Sequence, residues 1–342
     1  MMLRMIALSC LFLAGVAPPA VVGQERGDLM QKEILPIRVP VTSPFAIELP
    51  VPGPNDIVYV PMELVVNEKQ KQVVLKVDPS GSVKANFEIG NPSGFKHGEI
   101  GLVVTPGGEL IGFSRWSAEG AVGPVIYLFD EQGSVKEAVK LSKRILPRQM
   151  VVTPEGSWIF AGYAEPTGAD SESSRQGLFE FKRSGEFVRE IAPRQMGEKS
   201  GSTISSRESQ MVLDLSQLLM DATGTLYLIH PLDRPRVFKI STTGEILKEK
   251  QLSQAQGTRV LAAVFDDQGR LVLDRVTVAR AGETLEKRIR ILTVLETGTL
   301  DTVFEASCEQ RGGVLFSAKN GEFSFMVRRD PTSIEIARWS VR

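Results

Sequence analysis

Two carboxylates and two guanidinium groups, Glu99, Asp214, Arg259 and Arg311, each lie one strand's length ahead of a turn glycine, at Gly108, Gly224, Gly269 and Gly321. The offset is nine residues for Glu99 and ten for the other three, and residues at nearly the same offset in a repeated unit meet in space when the units pack side by side. These four would then ring one opening, with Gly101, Gln149, Gln217 and Ala262 a step deeper. Two acids beside two arginines suit a small polar or anionic ligand, because guanidinium forks match carboxylates. The same acids could take a cation, but Arg259 and Arg311 in the same ring disfavour a divalent ion. Trp116 and Tyr163 flank loops near this opening, where each could stack on a sugar or peptide or pack between repeats.

Other chemistry has little to work with. The two histidines, His97 and His230, have no partner at metal-ligand spacing, so no metal and no cofactor is assigned. Cys308 lies beside Glu305 and Glu309, whose charge raises a thiol pKa and makes a nucleophilic thiolate improbable. Nucleophile elbows, phosphate-binding glycine loops and zinc motifs do not occur. No catalytic residue is therefore named, and the candidate ligand contacts are Glu99, Gln149, Asp214, Gln217, Arg259, Arg311 and Trp116.

The elements that must position them are written in ten glycine turns. One set ends in Thr105-Pro106-Gly107-Gly108, Thr153-Pro154-Glu155-Gly156, Asp221-Ala222-Thr223-Gly224, Asp266-Asp267-Gln268-Gly269 and Ala318-Lys319-Asn320-Gly321. The other comprises Asp78-Pro79-Ser80-Gly81, Asp130-Glu131-Gln132-Gly133, Lys182-Arg183-Ser184-Gly185, Ser241-Thr242-Thr243-Gly244 and Leu295-Glu296-Thr297-Gly298. Two tight hairpins in each unit of roughly fifty residues spell a four-stranded propeller blade. The expectation is an all-β, six-bladed β-propeller of four-stranded antiparallel blades, the ring closed by an N-terminal strand. The last blade is one strand short, and Ile37–Val41 or Phe45–Leu49 is expected to supply the fourth. The rhythm resembles the bacterial six-bladed propellers of NHL-repeat or TolB-like type. That resemblance implies a fold and a tendency toward binding roles, with no residue carried over. Propeller lactonases of the gluconolactonase type hold a metal at the channel mouth with Glu, Asn and Asp. Here no Asn occupies the matching region and two arginines do, so a hydrolase or lactonase is the alternative reading.

In an up-and-down blade the A-to-B and C-to-D turns share one end, which places all ten glycine turns on one face. The opposite connections vary widely, from His230 to Arg236 up to Ala192 to Ser209, and variable loops on a rigid frame carry function. Arginines at these loops and their margins, including Arg115, Arg144, Arg148, Arg175 and Arg194, are interspersed with acids. The expected role is a non-catalytic binding or interaction module using that face, with an unknown protein or a small polar or anionic ligand as partner.

The first residues carry Arg4, an apolar run from Ile6 to Val16 and small residues to Gly23, the order of a secretory signal. Residues 1–23 are read as that signal, 24–36 as a flexible leader with five charges, and 37–342 as a single propeller domain. Export to the periplasm or outside the cell follows, as does a monomer with no transmembrane segment. Without the signal, Cys308 stands alone and no intrachain disulfide can form. A formal net charge of -1 gives no pull toward nucleic acid.

Overall fold

Runs of β-branched and aromatic residues end at short polar turns throughout the chain, and the backbone follows that pattern. The structure, a computed structural model, describes residues 25–37, 45–47, 50–66, 69–89, 100–105, 107–114, 124–164, 175–191, 216–231, 235–252, 258–277, 289–309, 313–330 and 333–341. Among them every regular element is a strand, save one 3-10 turn at Pro54–Asp56.

Strand β1 is Glu25–Ile37, β2 Phe45–Ile47, β3 Val51–Pro52, β4 Val58–Val66, β5 Lys69–Val77 and β6 Val83–Ile89. Next come β7 Ile100–Val104, β8 Leu110–Ser114, β9 Val125–Phe129 and β10 Val135–Lys140, then β11 Ile145–Val152, β12 Trp158–Ala164, β13 Arg175–Phe181 and β14 Phe187–Ile191. They are followed by β15 Gln217–Met220, β16 Leu226–His230, β17 Arg236–Ile240 and β18 Ile246–Gln251. The last seven are β19 Thr258–Phe265, β20 Leu271–Thr277, β21 Ile289–Leu295, β22 Thr302–Glu309, β23 Val314–Lys319, β24 Glu322–Asp330 and β25 Ser333–Val341.

Three of the sheets, β7 to β10, β11 to β14 and β15 to β18, are four-stranded antiparallel meanders. A fourth joins β4, β5 and β6 to two short pieces, β2 and β3, which pair with opposite ends of β4. The remaining strands form one eight-stranded sheet in the order β19-β20-β21-β22-β1-β25-β24-β23. Its centre is a single strand: β1 runs parallel to β22 through Glu25–Asp28 and antiparallel to β25 through Leu29–Ile37. The first strand of each group, β3, β7, β11, β15, β19 and β23, touches the next in order, and β23 returns to β3. The result is an all-β, propeller-like arrangement around a central axis.

Apolar side chains fill the spaces between sheets. Phe113, Ile126 and Leu128 pack on Trp158, Phe160 and Phe181, with Phe113 edge-on to Phe160 at 5.8 Å between centroids. At the join of chain start and end, Val58, Val60 and Leu75 meet Phe316, Met326 and Ile336. Burying side chains of this size stabilises each by roughly 1.5 to 3 kcal/mol relative to exposure.

The turns are built alike. Asp130 Oδ1 accepts the N–H groups of Gln132 and Ser134 at 3.0 and 2.8 Å, while Gly133, at φ 85°, closes the bend. A side chain at Gly133 would overlap the Phe87 ring of the preceding sheet, so the position needs glycine on two counts. A long cation from the preceding sheet repeatedly reaches a carbonyl inside a turn. Arg338 reaches Pro79, Arg189 reaches Thr242 and Lys239 reaches Thr297, at 2.8, 2.9 and 2.9 Å.

The structure corrects three expectations. Residues 25–36, read as part of a flexible leader, belong to β1, a strand in which Leu29 is buried. The strand beside β25 is therefore Glu25–Ile37, whereas Phe45–Ile47 pairs with β4 instead. In the turn after Leu295 the left-handed residue is Leu300, at φ 58°, because one extra residue displaces the bend beyond Gly298.

Candidate binding cavity and the buried charges

Six inner strands enclose a cavity of about 500 Å³ on the axis. Its walls are chiefly aliphatic, with Leu102, Val104, Val152, Met220 and Val264 beside Phe265. Gln149, Gln217 and Arg148 supply polar groups among the described lining residues.

The two glutamines hold the frame. Gln149 on β11 donates its amide to the Ser216 carbonyl and accepts the Leu218 N–H, tying β11 to β15. Gln217 repeats the move one sheet on, donating to the Leu261 carbonyl of β19 at 2.9 Å. Each glutamine lies seven residues before its turn glycine, Gly156 or Gly224, and each accepting carbonyl belongs to the residue eight before the next one, Gly224 or Gly269. Ala262 and Gly101 occupy the equivalent places without an amide. A side chain at Gly101 would also overlap the Phe113 ring.

Arg148 sits in a register shift between Pro147 and Gln149, the kind of bulge that redirects a side chain. It lines the cavity half-buried, its guanidinium carbon 5.6 Å from the centroid of the Tyr163 ring. The sequence reading grouped Arg148 with loop margins, but it lies inside β11. Tyr163 is buried there and packs under the guanidinium. Arg259, the second residue of β19, is exposed. Glu99, Asp214, Arg311 and Trp116 lie outside the described residues; among the described members of the expected set, Gln149 and Gln217 line the cavity together.

A second group of charges is sealed inside the eight-stranded sheet. Arg290 on β21 lies 3.0 Å from Asp274 on β20; the two are 2% and 0% exposed. Arg290 also donates to the Gly313 carbonyl at 2.6 Å and stacks 4.3 Å from the Phe325 centroid, reaching across to β24. Burial pushes the Asp274 carboxyl up to about 6, against the opposing pull of Arg290 and of the Leu315 N–H. Beside it, Arg275 pairs with Glu305, which also accepts the Thr293 hydroxyl at 3.1 Å. Burial lowers the Arg275 pKa, with Glu305 opposing. The interruption of the apolar run Leu271-Val272-Leu273 by Asp274-Arg275 was the available signal for an internal pair.

No protein-family model matches the chain, and no curated protein matches it either. Among solved structures, a protein of unknown function from Dyadobacter fermentans DSM 18053 aligns with TM-score 0.57 and 12% identity, covering 92% of this chain and 99% of that one. A protein of unknown function from Bacteroides caccae aligns at TM-score 0.45 and 13% identity over 84% and 85%. A puromycin hydrolase aligns at 0.46 and 11% over 88% of this chain and 52% of its own. At such identities the likeness concerns the fold. The class that the strand arrangement defines is the β-propeller. Among the described residues no helix is long and apolar enough to cross a membrane.

Proposed function

We propose that the chain is an exported, monomeric six-bladed β-propeller of NHL-repeat or TolB-like type, acting as a non-catalytic binding module for a small anionic ligand with an apolar body. Counting six blades divides the eight-stranded sheet at its one parallel contact, between β1 and β22; the closed cycle of six inner strands supports that division. The observation that carries the binding reading is the axial cavity. Apolar walls reward burial of a hydrocarbon body, and Arg148 offers a guanidinium to an acidic end. Arg259, exposed at the start of β19, stands at the end of that strand away from its glycine turn, the side from which a ligand would be admitted.

A thermal-shift series with medium-chain fatty acids and aryl carboxylates tests the reading. The acids should raise the melting temperature in a concentration-dependent way, while the matching amides should not. Absence of any shift with every acid sinks it. A rise produced by calcium alone, and lost on Asp214→Ala, would instead favour the hydrolase or lactonase alternative. Mass spectrometry of the envelope fraction tests export, with a mature terminus expected near Gln24.

A further inference from the structure

On the glycine-turn face, away from the loops, a cleft of about 340 Å³ opens between the first and last groups of strands. It arises where the repeat pattern breaks. The β23–β24 link is two residues, Asn320 and Gly321, both at positive φ as a type I′ turn requires, instead of the usual four-residue bend. Opposite it, the β3–β4 link is the 3-10 turn in which Asn55 and Asp56 also have positive φ. Three of the four positive-φ residues other than glycine, among those described, thus gather at this one junction. Elsewhere on this face neighbouring turns pack together: Gly224 lies against Pro154, and Asn320 N–H donates to Asp267 at 3.0 Å.

The cleft is apolar below and charged at its rim. Val58, Phe316 and Ile336, each buried, form the floor. Asp56 and Lys319 stand on one side, paired at 2.9 Å with about half of each side chain exposed. Glu322 and Arg338 stand on the other, held by Lys32 and Glu33 of β1 at 2.9 Å each. Neither sign dominates the rim, so a pure anion or cation gains little there. An exposed ion pair contributes little stability, and a ligand can open the Asp56–Lys319 pair and satisfy both partners.

We infer that this cleft is a second binding site, for a small zwitterion with an apolar body, such as an apolar amino acid or dipeptide. Its carboxylate meets Lys319, its ammonium meets Asp56, and its side chain covers Phe316 and Ile336. The volume lies at the lower end of the range for small-molecule sites. The cleft adjoins the axial cavity, since Pro52, Phe316 and Ser317 line both, but its charged rim of Asp56, Lys319, Glu322 and Arg338 is its own and the inference does not depend on the reading given to that cavity.

Calorimetric titration of the full chain with leucine and with Leu-Leu tests the inference. One of them should bind saturably, and leucinamide and isocaproate, each lacking one charge, should bind at least about tenfold more weakly. Asp56→Asn and Lys319→Met should each lower affinity about tenfold without changing the melting temperature, since both side chains are exposed. Ser324→Phe, which fills the cleft, should abolish binding, and Arg148→Met in the axial cavity should leave it unchanged. The inference is overturned by absence of binding for both probes up to roughly 10 mM. It is equally overturned by binding that ignores the Asp56, Lys319 and Ser324 substitutions, or that depends on Arg148.

Discussion

Arg290 Nε lies 3.0 Å from Asp274 Oδ1, with both side chains sealed from solvent. One guanidinium there holds a carboxylate of its own strand group, the Gly313 carbonyl and the Phe325 face, so it fastens β20 and β21 to the β23–β24 hairpin. That junction is also where the chain's two ends meet, through β1 and β25. Taking two charges out of water is costly, and such a pair contributes specificity of arrangement more readily than net stability.

Removing one partner should therefore be far worse than removing both. Arg290→Met is expected to lose about 3 to 5 kcal/mol at pH 7, because Asp274 is left buried without its cation and must either take up a proton or stay charged and unopposed, while Asp274→Leu with Arg290→Met should regain most of that loss. The pH dependence has a fixed sign. With the folded carboxyl at about 6 and the unfolded one near 4, the native state holds the extra proton between those values. This contribution to stability is fully present below about pH 4 and is lost as pH rises through about 6. Arg290→Met should steepen that fall. Urea titrations at pH 5 and pH 7 measure both effects; a single variant unfolding at the wild-type midpoint would refute the account.

Gln149→Ala strips two hydrogen bonds from β15, since the buried Ser216 carbonyl loses the amide donor and the Leu218 N–H loses its acceptor. The expected loss is about 2 to 4 kcal/mol, against about 1 to 3 kcal/mol for Gln217→Ala, which strips one. Gln149→Glu should not rescue, because a carboxylate cannot donate to the Ser216 carbonyl. Equal losses for the two alanine variants would contradict the hydrogen-bond assignment.

Turn chemistry was the legible part of the sequence. Asp-x-x-Gly and Thr-x-x-Gly fix a local bend whatever surrounds them, so bends such as Asp130 to Gly133 could be placed from residue types alone. The closing strand was not legible, because β1 is exposed along much of its length and reads as the charged segment Glu25 to Glu33, with no clean alternation. Its pairing with β22 and β25, about three hundred residues away, makes it a strand. At the axis, residue offsets put Gln149 and Gln217 in one ring, yet could not show that each amide is turned to the next strand's backbone. Arg148 was hidden differently. A bulge shifts side-chain alternation by one, and nothing in Pro147-Arg148-Gln149 announces it.

Deleting residues 24–37 removes β1 and bares the backbone edges of both β22 and β25. It also uncovers apolar neighbours of Leu29 such as Trp339 and Phe325. The truncated chain should show a lower denaturant midpoint and a concentration-dependent tendency to associate through the open edges. Size-exclusion profiles and guanidinium titrations report the two effects. A monomer with the full-length midpoint would show that the ring does not need β1.

Arg148 and Arg259 separate two ways in which an anionic ligand could be held. Arg148 lines the axial cavity and is half-buried against Tyr163, whereas Arg259 is exposed at the start of β19. A charge-assisted contact screened from water is worth more than one made at the surface, so a ligand seated on the axis should depend chiefly on Arg148. Arg148→Met, which keeps an apolar side chain over Tyr163, should weaken carboxylate binding about a hundredfold, and Arg259→Ala by no more than about threefold. Raising the salt concentration should reduce the Arg259 contribution first, since exposed charges are screened within about a Debye length. Calorimetry with the best acid from the thermal-shift series decides between the two. The reverse ranking, a large loss at Arg259 and none at Arg148, would move the ligand out of the cavity and onto the loop face.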